Sequence, residues 1–351
     1  MRAAYQITVG GNVVTSAFAP RLMSLIFTDA DGGVADTLEI ELDDTGGAIF
    51  LPSTGDPIQA QLWWDIPPPG ASAGSLQFTG TVDEVRSRGA RGAGRTLAIM
   101  GRSADMKTKG KHKTSKHLDN ATFGSAAQTF GGIGGYQVSV DSSLASVQRD
   151  YWLLANESFL SWGRRIAEEI GATFKVAYPK ATFIPRNSGD SAAGAALGGV
   201  TAIAGQNLIS WDVSPTLSSG VWNNVKALYY DHTKAQWGED SQAVGSAGAV
   251  ADHRETFKHA DKGRAHARTT SNLNSARRLA AGCSVEIDGD PAALSQANLT
   301  ISGARPGIDG DYRIKTARHV LDRHRGWTTT CDCEQPQGAA GTDSRAKPAA
   351  T

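Results

Sequence analysis

The sequence predicts a mainly β chain with an α+β part, in which two β-barrel-like domains flank a small α/β domain. Three observations carry this. Apolar and polar residues alternate in short runs near both ends of the chain. Between Asn120 and Gly171 the apolar spacing changes to that of helices. Glycine is abundant, with 40 among 351 residues, which suits many tight turns. A chain of that length exceeds what one core usually serves, so two to four domains are expected.

The first β-barrel-like domain is expected over residues 1–105. Tyr5, Ile7 and Val9 alternate with polar or small residues, and Gly10-Gly11-Asn12 signals a hairpin turn. Leu22 to Thr28 gives a further strand. Leu38, Ile40 and Leu42 alternate with Thr37, Glu39, Glu41 and Asp43, the pattern of a half-buried strand with an acidic outer face. Ile58, Ala60, Leu62 and Trp64 repeat it, and Phe78 to Val85 and Arg95 to Met100 follow. Leu38, Ile40, Leu42 and Leu62, with Ile314 near the other end, are the candidate barrel core.

The small α/β domain is expected over 106–185. Ala121 to Phe130 reads as a helix that stops at Gly131-Gly132. Asn156 reads as an N-cap, followed by Phe159, Gly163, Ile166, Ala167 and Ile170 at helical spacing and by Gly171 at the C-terminal end. Thr173 to Val176 and Thr182 to Pro185 read as a hairpin. Residues 186–218 are expected to be a Gly/Ala-rich linker or loop, with small-residue strands as the alternative. The second β-barrel-like domain is expected over 219–335. It has a strand over Trp222 to Asp231, around Val225, Ala227 and Tyr229, a loop at Trp237 to His253, and a helix from Ser271 to Ala281. Four further strands follow, the last being Trp327 to Glu334. Residues 336–351 are small and polar and are expected to be disordered.

Composition narrows the function. Lys+Arg and Asp+Glu are both 35, a balance unlike the basic excess of a nucleic-acid-binding chain and permissive for self-assembly. No apolar run approaches the roughly 20 residues that span a bilayer, and the first residues lack a signal-peptide pattern. Three cysteines cannot complete a disulfide framework, which points to folding in a reducing cytosol. No membrane partner and no specific nucleic acid are therefore expected.

Several motifs carry residue types that can do chemistry. Cys331 and Cys333 fall on one face of a predicted strand. A metal site would need Cys283 or His319 as well, and their spacing is poor for zinc, so a core position is expected. Asp29, Asp31 and Asp36 with Gly32-Gly33 lack the register of a calcium loop and read as a turn. Gly131 to Gly135 follows a helix and has no Lys-Ser/Thr after it, which argues against a phosphate cradle. His253, His259, His266, His319 and His324 form no HExxH motif, and there is no GxSxG elbow. No catalytic residue, cofactor or metal is expected. The dense basic run is Lys107, Lys109, Lys111, Lys113 and Lys116 with His112 and His117. Without interleaved aromatics it does not read as a base-stacking surface. A solvated loop at a domain junction and a protein-contact loop meeting an acidic surface both remain open.

Arg21-Leu22-Met23-Ser24-Leu25 with Ala35-Asp36-Thr37-Leu38-Glu39-Ile40-Glu41-Leu42-Asp43-Asp44 resembles the opening of the phage late control gene D family. Further segments agree in order: Gly80 to Val85 before Gly101 to Met106, Asn156 to Leu160, Val225 to Asp231, and Gly310 to Ile314 with Ala317-Arg318-His319. The resemblance covers most of residues 1–335. It departs at Arg186 to Asn207 and Trp237 to Ala251. It implies a baseplate hub of a contractile tail, related to the hub half of type VI secretion spike proteins. Three copies would then form a ring whose six barrels join a sixfold tail tube to a threefold spike. The implied partners are a second and third copy of the chain, the central spike protein, the tail tube or tube-initiator protein, other baseplate proteins and the tape measure protein. The implied location is the virion tail baseplate, after synthesis in the host bacterial cytoplasm. A tail-borne cell-wall hydrolase or protease, or a type VI secretion spike-like component, are the alternatives.

Overall fold

A computed structural model of the chain describes residues 1–32, 35–92, 94–104, 107, 109–186, 197–214, 221–245, 248–279, 281–338 and 340–345. Part of the expected linker, 187–196 and 215–218, the first two residues of the expected second β-barrel-like domain, 219–220, and the end of the expected disordered tail, 346–351, lie outside the described residues. The fold is mainly β with an α+β part, and its buried apolar residues gather into three cores.

The first core is enclosed by Arg2–Val9, Leu22–Ala30, Thr37–Asp43, Pro57–Ile66, Ser75–Ala90 and Gly94–Arg102. The opening hairpin turns at Gly10 and Gly11, whose φ values of 59° and 81° suit glycine, and it pairs Val9 with Asn12. Ser75–Ala90 is long enough to serve two neighbours on successive halves. Its start pairs with Pro57–Ile66 and its remainder with Gly94–Arg102, with a register shift between Val82 and Glu84. Such a handover bends the sheet around its apolar face. Leu38, Ile40, Leu42 and Leu62 all point into this core and are essentially inaccessible, while Glu39 and Glu41 are half-buried on the opposite face. Replacing Ile40 with Ala is expected to cost about 3 kcal/mol. Glu39→Ala should cost about 0.5 kcal/mol or less. Urea unfolding of the two variants checks this, and equal losses would show that the alternation does not set which face is buried.

The third core is enclosed by Gly199–Ile203, Leu208–Ser214, Gly282–Asp288, Asn298–Ser302, Gly310–Asp322 and Gly326–Gln337. Ile314 lies in its centre, fully buried. Gly310–Asp322 repeats the two-neighbour device on one edge. Its first residues pair with Asn298–Ser302, and Thr316 to Asp322 pair with Leu22–Ala30 of the first core. Its other edge pairs with Gly326–Gln337. One 13-stranded sheet therefore runs through both barrel-like parts. Two of its strands, Gly199–Ile203 and Leu208–Ser214, lie within the segment expected as a linker.

The second core packs the helices Phe123–Ile133 and Phe159–Ile170 on Gln137–Val140, Ala172–Ala177 and Lys180–Pro185, with the ribbon Thr114–Thr122 and Gln148–Glu157 alongside. Its centre is aromatic: Phe123, Phe130, Trp152, Phe159, Trp162, Phe174 and Phe183 are buried and their rings meet edge-on or stacked. The N-cap of Phe159–Ile170 is Ser158, whose hydroxyl accepts from Ser161 N at 3.2 Å, and not the expected Asn156. Asn156 instead takes φ 48° at the end of the preceding strand.

A separate lobe interrupts the third part. Asn224–Asp231 pairs with Gln236–Ala243 and, in parallel, with His253–Arg254, and the helix Lys262–Arg278 covers them. The loop expected at Trp237 to His253 thus begins inside the strand Gln236–Ala243 and ends on the strand His253–Arg254, and the helix starts nine residues earlier than expected, at Lys262 rather than Ser271. This helix packs on the second core, where Ser271 Oγ and Arg268 Nη1 donate to Glu168 O at 2.8 and 3.1 Å. Alternation at Val225 and Ala227 marks a covered face, but a helix cover and a barrel interior leave the same pattern. Among the described residues no helix is long and apolar enough to cross a membrane.

Candidate functional site

The three cores meet at a polar junction. Asp29 comes from the first part, Lys175 from the strand Ala172–Ala177 of the second, and Ser295 and Gln296 from the turn before Asn298–Ser302 of the third. Lys175 Nζ is ion-paired with Asp29, donates to Ser295 Oγ at 2.6 Å and lies 3.9 Å from Asp36 Oδ1. Asp29 also accepts from Ser295 N and Ser295 Oγ, both at 2.8 Å. Beside it, Asp31 accepts from Thr173 Oγ1 at 2.8 Å and from Gln296 Nε2 at 3.1 Å, with Arg186 Nε at 3.9 Å.

Burial alone would raise the Asp29 carboxyl, but the Lys175 charge and the Ser295 hydrogen bonds outweigh it and hold Asp29 below the ordinary 3.8. Burial, joined by the Asp29 charge, pushes Asp36 up to about 7 against the pull of Lys175. Burial opposes the charge on Lys175, yet the facing carboxylates raise its pKa. The acidic group that the sequence offered as a turn is therefore a counter-charge for one lysine. An ammonium occupies its centre, and among the described residues no group of three His, Cys, Asp or Glu is placed to hold a metal ion. Lys175 was missed in the sequence. Its signal is a lone charge inside the strand Ala-Thr-Phe-Lys-Val-Ala, which is otherwise nearly all buried.

His319 is fully buried nearby. Its Nε2 donates to Ala293 O at 2.9 Å and its Nδ1 meets Thr329 Oγ1 at 2.9 Å, an assignment that follows from the carbonyl being acceptor only. Burial pushes its pKa down to about 4, so it is a neutral core group. Cys283, Cys331 and Cys333 are buried free thiols in the third core. Gly131 lies within the helix Phe123–Ile133 and Gly134 caps it, so the glycine run ends a helix.

The five lysines are exposed but do not share one loop. Lys107 donates to the Thr54 carbonyl of the first part. Lys109 and Lys111 lie on a short 3-10 turn, and Lys113 leads into the strand Thr114–Thr122. Lys116 is on that strand, opposite Leu154. The expected loop to His117 therefore ends at Lys113. Alternation is missing from Thr114 onward because the paired strand supplies the packing residues, Trp152 and Leu154.

In fold the chain is similar to phage tail proteins. The "43 kDa tail protein" of prophage MuSo2 from Shewanella oneidensis matches with a TM-score of 0.68 at 13% identity, over 95% of this chain and 98% of that one. An Escherichia coli component of the type VI secretion system matches with a TM-score of 0.52 at 10% identity, over 98% and 80% of the two chains. At these identities the likeness is one of fold. In sequence the chain is similar to the "Probable baseplate hub protein" of Escherichia phage 186, 32% identical over 191 residues, which is 54% of this chain and 47% of that protein. It is likewise similar to that of Escherichia phage P2, 29% identical over 199 residues, 56% and 49% of the two. The chain thus spans about half the length of the curated relatives it matches. No family model matches it. The resemblance drawn from the sequence is borne out at this level, to baseplate hub proteins of P2-like phages.

Proposed function

We propose that this chain is a structural baseplate hub of a phage-like contractile tail, and not an enzyme. The observation that carries the reading is the hub fold over nearly the whole chain, together with sequence similarity to baseplate hub proteins. Three copies would form a ring, each presenting its two barrel-like parts, so that six barrels face a sixfold tube while the trimer matches a threefold spike. Its partners are then other copies of itself, the central spike protein, the tail tube or tube-initiator protein, other baseplate proteins and the tape measure protein. It is made in the host cytoplasm and resides in the virion. The one sheet shared by both barrel-like parts supports this role, because it holds the two barrels in a fixed relation. We take the three cores as the chain's folding units.

Light scattering and imaging of the tail tip test the proposal. Three copies per tip are expected, and one or six would overturn it. A peptidoglycan zymogram separates this reading from a tail-borne hydrolase.

The exposed lysines are assigned to protein contact. Lysine tips are mobile and hydrated, so each contact is weak and salt-sensitive while the sum sets orientation and on-rate. Changing Lys109, Lys111 and Lys113 together to Ser is expected to leave the chain folded, because all three are exposed. Incorporation into tails should fall several-fold and mimic high salt on the unmodified protein. Normal incorporation at both low and high salt would return these lysines to a solvated surface.

A further inference from the structure

Cys283 and Cys333 are direct partners across the antiparallel pair Gly282–Asp288 and Gly326–Gln337, whereas Cys331 faces Val285. Directly opposed residues in such a ladder share a face, with Cα atoms about 4.5–5.5 Å apart, inside the span of a disulfide. The diagonal from Cys283 to Cys331 is about 7–8 Å. Cys331 and Cys333 are two residues apart on one strand, roughly 6.7 Å, with parallel side chains. Geometry thus selects one pair out of three thiols. Cys333 Sγ donates to Cys331 O at 3.7 Å. Cys283 lies one strand in from the open edge of the sheet, where the largely exposed strand Leu208–Ser214 sets Val213 opposite it.

We propose that Cys283 and Cys333 are a facultative disulfide site, reduced in a thiol-rich compartment and closed by a disulfide oxidant such as oxidised glutathione. The Cys283 thiol gives up its proton and its sulfur attacks one sulfur of the oxidant. This breaks the oxidant's S–S bond and expels one glutathione thiolate. The Cys333 thiolate then attacks the Cys283 sulfur of the mixed disulfide and expels the second. Two protein thiols are oxidised, one glutathione disulfide is reduced, and the two protons end on the two glutathiones. The facing Cys283 thiol and burial raise the Cys333 thiol well above its ordinary value, so closure is slow at neutral pH and needs fraying of the edge strand. The bond would pin the final strand to the sheet that runs through both barrel-like parts. That it closes once the particle has left the cell rests on the hub reading.

The test is incubation of the full chain with oxidised glutathione at about pH 8.5, with and without sub-denaturing urea to open the edge. Thiols are then titrated in denaturant and the peptides mapped by mass. The expected result is a fall from three free thiols to one, with the Cys283 and Cys333 peptides joined. The melting midpoint should rise by roughly 5 °C and return on reduction. Cys331→Ser should behave as the parent, and Cys283→Ser and Cys333→Ser should abolish the link. Retention of all three thiols in urea, a product that stops at the glutathione adduct, or a link through Cys331 would overturn the proposal. None of these outcomes touches the hub reading, which stands or falls on stoichiometry.

Discussion

Replacing Lys175 with Ala is expected to destabilise the chain by about 3–5 kcal/mol, far more than the removal of a surface lysine. The Lys175 and Asp29 side chains are only 16% and 15% exposed, so the substitution strands a carboxylate with little water to solvate it. It also removes the donor to Ser295 and the charge that restrains Asp36. The pair is therefore a device for position more than for net stability. The double variant Lys175→Met with Asp29→Asn should recover most of the loss, because no unpaired charge remains. Denaturant unfolding of the two single variants and the double measures this. A single-variant loss under 1 kcal/mol, or a double variant as unstable as the singles, would show that the charges are solvated.

The same groups set a pH window. Asp29 is held below 3.8 in the fold, so its contribution is present above that value and is lost as pH falls below it. Asp36 is raised to about 7, so its contribution is complete below 3.8 and is lost as pH rises through 7. Together the two contributions peak near 3.8 and decline towards 7, where the unfolded chain has released the Asp36 proton that the fold still holds. His319 bears on the acid side, since a histidine held at about 4 stays neutral while the unfolded chain takes up a proton below 6.5.

Much of the first part was legible because a half-buried strand writes its period directly. Thr37–Asp43 and the first part of Pro57–Ile66, as far as Leu62, bury every second residue, and the Gly10-Gly11 turn needs the positive φ that glycine supplies. The ends of the two helices of the second core were legible to within a few residues, whereas Lys262–Arg278 starts nine residues before the expected Ser271. Ser158 and Asn156 are both good capping types two positions apart, and only the fold decides between them. The ribbon Thr114–Thr122 was hidden by its lysines, because one strand of a half-exposed ribbon can be almost wholly polar when its partner packs the core. Asn224–Asp231 was seen as a strand but assigned to a barrel, since alternation names a buried face and not the element that covers it. The junction was illegible for a similar reason. Asp29, Lys175 and Ser295 are far apart in sequence, and no local period couples them.

Trp327→Ala is expected to cost about 3–5 kcal/mol and to loosen the two barrel-like parts against each other. Trp327 opens the last strand of the third part, yet its side chain belongs to the first core and is only 2% exposed. It stacks on Trp64, ring centroids 5.0 Å apart and planes at 28°. Trp64 Nε1 donates to Gly289 O at 2.7 Å, and Gly289 N donates to Trp327 O at 3.0 Å. Gly289 completes the clamp by having no side chain, since a Cβ there would fall 2.3 Å from the Trp327 indole. Gly289→Ala in the parent should therefore cost about 1–3 kcal/mol through overpacking. In the Trp327→Ala background the same change should cost little, because the indole it meets is gone. The double-mutant cycle measured by urea unfolding should give a coupling of about 1 kcal/mol or more. Additive losses would mean that the indole does not lie against Gly289, and the clamp would have to be sought elsewhere along the shared sheet.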